Sequence, residues 1–296
     1  PFRRAAARFF NQALTRDSLI GVQGPEKRGK TFWCVEFLYQ ALLNRRKVAL
    51  FEVGDLSESQ IMKRWICRIS RTPLWESQCR KGVDVPSTIR VVENDEGKPI
   101  AEVESTIETF KYPISAGAGW RARRQFLNRC SIPPRKPYVM FSIHPNSSIN
   151  VAGIDAILQR WHHERDFVPD VIIIDYADIL APEDSRKEAR HQVNDTWKAL
   201  RRLSQEWHAC VIAPTQANAK SYEVVTQKMK NFSEDKRKLA HVTGMLGLNQ
   251  TEEEHKAGVM RLNWILLRES EYDSNHCLWV VQCLALAQPM ASCCRG

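Results

Sequence analysis

Apolar positions in this chain follow two spacings, the short continuous runs of strands and the three-to-four-residue recurrence of helices. Residues 19–23 (LIGVQ) form a short apolar run, followed by GPEKRGKT and then by TFWCVEFLYQALLNRR, where Phe32, Val35, Leu38, Tyr39 and Leu42 recur at helical spacing. The pattern predicts strand, loop and helix. KVALFEV predicts a second buried strand, and LSESQIMKRWICRIS a helix whose first turn carries Ser57 and Glu58. YVMFSI predicts a third strand and residues 151–165 a helix. VIIIDYADIL predicts a fourth strand, its unbroken apolar run being what a strand covered on both faces of its sheet requires. VNDTWKALRRLSQEW then predicts an amphipathic helix and ACVIAPTQ a fifth strand. Two late strands, RLNWILLR and CLWVVQCLAL, are separated by the polar ESEYDSNH and predict a hairpin. The alternation of strand and helix through residue 216 predicts an α/β fold with a mostly parallel, twisted sheet and helices on both faces.

The pattern weakens between residues 73 and 137. Pro and Gly residues, an acidic patch at 93–96 and the basic helix WRARRQFLNR mark this stretch as an irregular insertion. A structureless loop of that length is unusual in a compact domain, so strands are expected within it. The first sixteen residues carry four Arg and no acid, a composition shared with organellar transit peptides. They also place Phe2, Ala6, Phe9, Phe10 and Ala13 on one side of a helix, and an amphipathic helix is the reading adopted. The expected organisation is a linker helix over 1–18 and one α/β domain over 19–296, interrupted at about 73–137. No internal repeat is visible.

Composition narrows the classes. Hydrophobic residues make up 43% and charged residues 26%, as in soluble globular proteins, and no apolar run approaches the roughly 20 residues that span a bilayer. The net charge of +9 favours polyanionic partners, nucleic acid before an acidic membrane surface. The nine Cys form no C-x-x-C pair, which argues against a zinc site and for free thiols in a reducing cytoplasm.

Chemistry concentrates at residues 24–32. Gly24, Gly29, Lys30 and Thr31 satisfy G-x-x-x-x-G-K-[ST] between a predicted strand and a predicted helix. In such a loop, Gly24, Pro25, Glu26, Lys27, Arg28 and Gly29, the glycines let successive N–H groups (all but that of Pro25, which has none) surround phosphate oxygens. The Lys reaches the β and γ phosphates, the Thr hydroxyl ligates Mg²⁺, and Phe32 begins the helix beside it. ATP with Mg²⁺ is the expected ligand. The metal also needs an acidic residue at a strand end; Asp175, closing VIIID, fits, with Asp178 the second candidate. Hydrolysis needs a carboxylate to orient water, and FEVGD offers Glu52 and Asp55. The fifth strand ends in Thr215 and Gln216, whose amide is placed to contact a γ phosphate.

In this order the motifs resemble the ATPase domain of DnaB-type replicative helicases, a RecA-like family, and in character its phage and prophage branch. The resemblance covers most of the chain outside 73–137. GDLSESQIMKR is similar to the family's acidic motif and Met/Arg-rich helix, which puts Asp55 where the family carries its catalytic Glu. Asp is one methylene shorter, so water must sit closer or Glu52 must serve. VIIIDYADIL resembles the magnesium-aspartate strand, and VNDTWKALRRLSQEWHACVIAPTQAN the helix and strand ending in a glutamine sensor, here Gln216. The resemblance implies that the following region lines a ring's channel and holds single-stranded DNA. Lys220, Lys228, Lys230, Lys236, Arg237 and Lys238 would meet phosphates there, and Tyr222 and Phe232 would stack on bases. It also implies an arginine finger acting across the subunit boundary, Arg268 with Arg261 as fallback. The expected partners are single-stranded DNA, further copies of the chain in a hexameric ring, and a primase or loader. No N-terminal helical domain for a primase is visible, and the insertion has no counterpart in the common helicase. The function expected is ATP-dependent DNA translocation or unwinding. The alternatives are a RecA-like recombinase or DNA-stimulated ATPase that does not unwind, and a RecA-fold ATPase that regulates a protein partner.

Overall fold

A computed structural model describes residues 2, 4–54, 56–95, 97–133, 136–216, 226, 236–268 and 272–295. The first strand, β1 (Leu19–Gly24), runs through the loop at 25–29 into α2 (Lys30–Leu43), after the short helix α1 (Arg4–Phe10). β2 (Val48–Val53) and α3 (Glu58–Ser70) follow, then α4 (Glu76–Lys81), β3 (Val83–Glu93), β4 (Pro99–Glu108) and α5 (Ala116–Arg129). The regular alternation resumes with β5 (Val139–His144), α6 (Val151–Arg165), β6 (Val171–Asp175), α7 (Ala189–Glu206) and β7 (Cys210–Gln216). The chain closes with α8 (Lys236–His241), β8 (Gly244–Asn249), α9 (Glu252–Lys256), β9 (Val259–Leu267), β10 (Leu278–Cys283) and β11 (Gln288–Arg295).

Among the described residues nine strands form one sheet in the order β11-β10-β9-β8-β1-β7-β6-β2-β5. The half from β8 to β5 is parallel, and β9, β10 and β11 extend it antiparallel. The expected parallel α/β sheet and late hairpin are both present. Two elements differ from expectation. CLWVVQCLAL is not one strand: Leu284–Leu286 is a 3-10 turn that reverses the chain into β11. Residues 244–247, the end of the region expected to line a channel, belong to the strand β8 beside β1.

Side-chain alternation explains why the central strands are apolar throughout. Leu50, Ile173 and Ile212 point to one face, packing with Trp33, Phe37 and Leu38 of α2. Their neighbours Phe51, Ile172, Ile174, Val211 and Ala213 point to the other, against Ile154 and Leu158 of α6 and Trp197 and Leu200 of α7. Phe2, Ala6, Phe10 and Ala13 are buried on the α2 face, and the indole N–H of Trp264 donates to Phe9 O at 2.9 Å. The insertion contains the strands its length required: β3 and β4 pair as a separate antiparallel hairpin. Ile89 of β3 packs against Val259, Trp279 and Val281 of the main sheet. No helix of the described residues is long and apolar enough to cross a membrane.

Candidate nucleotide-binding site

The loop between β1 and α2 lies at the carboxyl ends of the parallel strands, where an open α/β sheet leaves a crevice. Its two glycines answer different demands. A Cβ at Gly24 would stand 3.2 Å from Leu248 Cβ, so the close passage of β1 past β8 requires its absence. Gly29 precedes α2 with φ 78°, in the left-handed region that glycine enters without cost. The Lys30 ammonium bridges the loop, donating to Gly24 O at 2.9 Å and Pro25 O at 3.1 Å.

β6 delivers Asp175 to the same place. It is 3% exposed, and its register partner on β2 is Glu52, which is fully buried. Glu52 Oε1 accepts from Leu56 N at 3.0 Å, fixing the turn between β2 and α3. Cys34, one turn into α2, senses the cluster: burial chiefly, then the charges of Asp175 and Glu52, hold its thiol well above the usual range, and Lys30 opposes them. A cavity of about 480 Å³ is lined by Lys27, Gly29, Lys30, Thr31, Phe32, Asp175 and Gln216 together. The separation in sequence between Thr31 and Asp175 is thus closed in space. The donor set is one hydroxyl and one carboxylate, hard oxygens of the kind Mg²⁺ takes alongside phosphate oxygens. The cationic loop and the amino end of α2 suit the phosphates themselves. Both groups fit the residues present.

Arg64 joins this cavity and was not singled out from the sequence. Its guanidinium lies 4.8 Å from the Phe32 ring centroid. Burial lowers its pKa, while the charges of Asp175 and Glu52 act to raise it. The signal available in the sequence was its position beside Trp65 and three residues after Ile61, both buried on α3.

The remaining expected residues are distributed differently. Asp178 does not line the cavity. Its carboxylate accepts from Thr215 Oγ1 at 2.7 Å, from Gln216 N at 2.8 Å and from Lys238 Nζ at 2.7 Å. Lys238 is therefore 8% exposed, in a cluster joining β6, β7 and α8 rather than on an open surface. Arg237 is exposed, with Nη1 donating to Arg190 O at 3.1 Å. Lys236 opens α8. Asp55, Lys220, Tyr222, Lys228, Lys230 and Phe232, with the side chain of Lys236, lie outside the described residues.

Arg268 follows β9, whose end pairs with the start of β8, so it stands at the amino end of the parallel strands, opposite the end that carries the loop at 25–29. Its guanidinium donates to Ala240 O at 2.8 Å and Leu239 O at 3.3 Å, near the end of α8. Arg261 is instead buried and ion-paired with Glu254 at 2.6 Å.

No protein-family model matches the sequence, and no curated protein matches it. Solved structures do. The ATPase domain of G40-P superposes with a TM-score of 0.65 at 12% identity, over 92% of this chain and 84% of that one. A DnaB-like replicative helicase, solved in a study of its interactions with primase, superposes with a TM-score of 0.64 at 13% identity. That alignment spans 92% of this chain but 58% of the helicase. At such identities the likeness is one of fold, and it falls on the family that the motifs resemble. This chain has the RecA-like fold of a DnaB-type helicase ATPase domain.

Proposed function

We propose that the chain is an ATP-driven DNA translocase or helicase, hydrolysing ATP between neighbouring copies to move along single-stranded DNA. The observation that carries this reading is the one cavity shared by Lys30, Thr31 and Asp175, with Gln216 on its wall. Bound ATP with Mg²⁺ supplies the phosphoanhydride and the metal charge that favours attack on it.

The chain's own residues do the rest. Backbone N–H groups of the 24–31 loop and the Lys30 ammonium hold phosphate oxygens, and Thr31 Oγ1 and the Asp175 carboxylate hold the metal. Glu52, or Asp55 beyond it, orients the attacking water. Arg64 adds a cation to the same wall. Gln216 reports the γ phosphate, and its backbone N–H already bonds Asp178, which bonds Lys238 of α8. That chain of contacts leads towards residues 217–247, the segment proposed to grip DNA phosphates through Lys220, Lys228, Lys230, Lys236 and Arg237. In a ring, Arg268 would serve a neighbouring copy's site. A primase or loader partner belongs to the same reading.

ATP turnover with and without single-stranded DNA, followed by displacement of a strand from a forked duplex, tests this directly. Turnover that single-stranded DNA leaves unchanged would remove the DNA motor. Stimulated turnover without displacement would leave a DNA-dependent ATPase that does not unwind.

A further inference from the structure

The insertion carries a second feature that the ATP site does not absorb. Between Glu108 and Asp155 the sequence has seven Lys or Arg and no Asp or Glu, so this stretch holds most of the net charge of +9. The segment proposed for the ring channel has six Lys or Arg against three carboxylates over 217–247. The stretch around α5 therefore carries cations with no acid among them, whereas the 217–247 segment mixes both signs.

α5 organises that charge. Gly119, Ala122 and Phe126 recur at helical spacing and are buried against α3, where Phe126 meets Trp65 edge to face at 5.7 Å between centroids. The outer face presents Arg121 and Arg124, and Arg123 flanks the buried face, all three exposed. Trp120, 64% exposed, sits among them with the Arg123 guanidinium 5.3 Å from its ring centroid. An indole left in solvent beside cations is the pairing that single-stranded nucleic acid exploits: bases stack on the ring while guanidinium groups meet phosphates.

Trp120 and Arg123 also form the edge of a cleft of about 600 Å³ between α3, α5 and the start of β5. Its floor is Trp65, Phe126 and Tyr138, and Lys136 and Arg165 stand on its rim. The cationic rim and aromatic floor suit a polyanion with flat apolar rings. The cleft shares no lining residue with the phosphate-loop cavity. It opens near the amino end of β5, away from the strand ends that carry Gly24 and Asp175.

We propose that α5 and this cleft form a second binding surface, for single-stranded nucleic acid, separate from the ATP site. Bases stack on Trp120 and enter the aromatic cleft, and Arg121, Arg123 and Arg124 neutralise the phosphates.

The test is fluorescence anisotropy of a labelled oligo(dT), titrated with the full chain without nucleotide, so the result does not depend on the ATPase reading. The variants are Arg121→Glu with Arg123→Glu and Arg124→Glu combined, Trp120→Ala alone, and Lys228→Glu with Lys230→Glu for the channel segment. All altered α5 side chains are solvent-facing, and basal ATP turnover should stay at the wild-type rate as a check on folding. The triple reversal should weaken binding at least roughly tenfold and reduce the slope of log K against log salt by about 2, as three lost phosphate contacts require. Trp120→Ala should weaken it roughly tenfold. Both losses should persist in the Lys228→Glu, Lys230→Glu background. Wild-type affinity and salt slope in the triple variant would overturn the proposal. So would equal competition by blunt duplex DNA, or displacement of oligo(dT) by phosphatidylserine vesicles at lower concentration than by unlabelled oligo(dT).

Discussion

Glu52 and Asp175 face each other across adjacent parallel strands as register partners, both nearly inaccessible to solvent. Two carboxylates at that spacing, beneath a loop that carries Lys30, make a strongly polarised pocket in a sheet otherwise filled with Ile, Val and Leu. The sheet tolerates them because cations converge on the same place, Lys30 from α2 and Arg64 from α3. A covered strand holding acids only at its carboxyl end is the arrangement that a metal-phosphate site needs.

The two acids have separable roles in the proposed reaction. Glu52→Gln removes the ability to polarise water and keeps the hydrogen bond to Leu56 N. ATP turnover should fall by roughly 10²–10⁴-fold with nucleotide affinity retained, if Glu52 is the water-orienting group. The same loss in Asp55→Asn, with Glu52→Gln near wild type, assigns the role to Asp55. Single-turnover hydrolysis and equilibrium binding of a fluorescent ATP analogue separate the two outcomes.

Lys30→Ala removes the ammonium that spans the loop. Turnover should drop by about 10²-fold or more, comparable to the loss of one pre-organised donor at a developing charge, while thermal unfolding changes little. Steady-state phosphate release checks the first expectation and a melting curve the second.

The Asp178–Lys238 pair is a mostly buried bridge that also holds Thr215 and Gln216 N. Removing one partner alone strands the other charge, so Lys238→Met should destabilise the fold by about 3 kcal/mol in urea unfolding. Adding Asp178→Asn should recover part of that loss. Both variants should keep basal ATP turnover and lose stimulation by single-stranded DNA, because the route from Gln216 to α8 is cut.

Acid sensitivity follows from two histidines. Burial lowers the pKa of His144; for His241 burial leads, the cations Lys198 and Arg268 add to it, and Asp195 opposes. Both take up a proton less readily in the fold, so the unfolded chain binds more protons near their ordinary pKa of about 6.5. The stability they contribute is complete above that value and is lost as pH falls through it. Melting temperature should decline from about pH 7 to pH 5, and less steeply in His144→Gln with His241→Gln.

Much of this architecture was legible because the central strands are covered on both faces and their apolar runs are unbroken. VIIID and VALFEV needed no more than hydrophobicity to be read. The β3–β4 hairpin was hidden because only one of its faces is packed, leaving Glu102, Glu104 and Thr88 among its apolar residues. β8 was hidden by its glycines, Gly244 and Gly247, which read as loop but make room for Trp264 and Asn263 of β9. At the site, local spacing was enough for Lys30 and Thr31, and a strand end for Asp175. Arg64 and Lys238 were not legible in that way. A charged side chain on a helix looks solvated until the distant groups that bury it are known, and Asp178 and Thr215 lie 60 and 23 residues from Lys238.

Calorimetric titration of ATP into the wild type and Asp175→Asn, each with Mg²⁺ and with EDTA, tests the metal-triphosphate site most directly. Mg²⁺ should strengthen ATP binding to the wild type by about tenfold or more, and Asp175→Asn should lose this gain while binding metal-free ATP as before. Equal strengthening by Mg²⁺ in both proteins would contradict a metal site at Asp175.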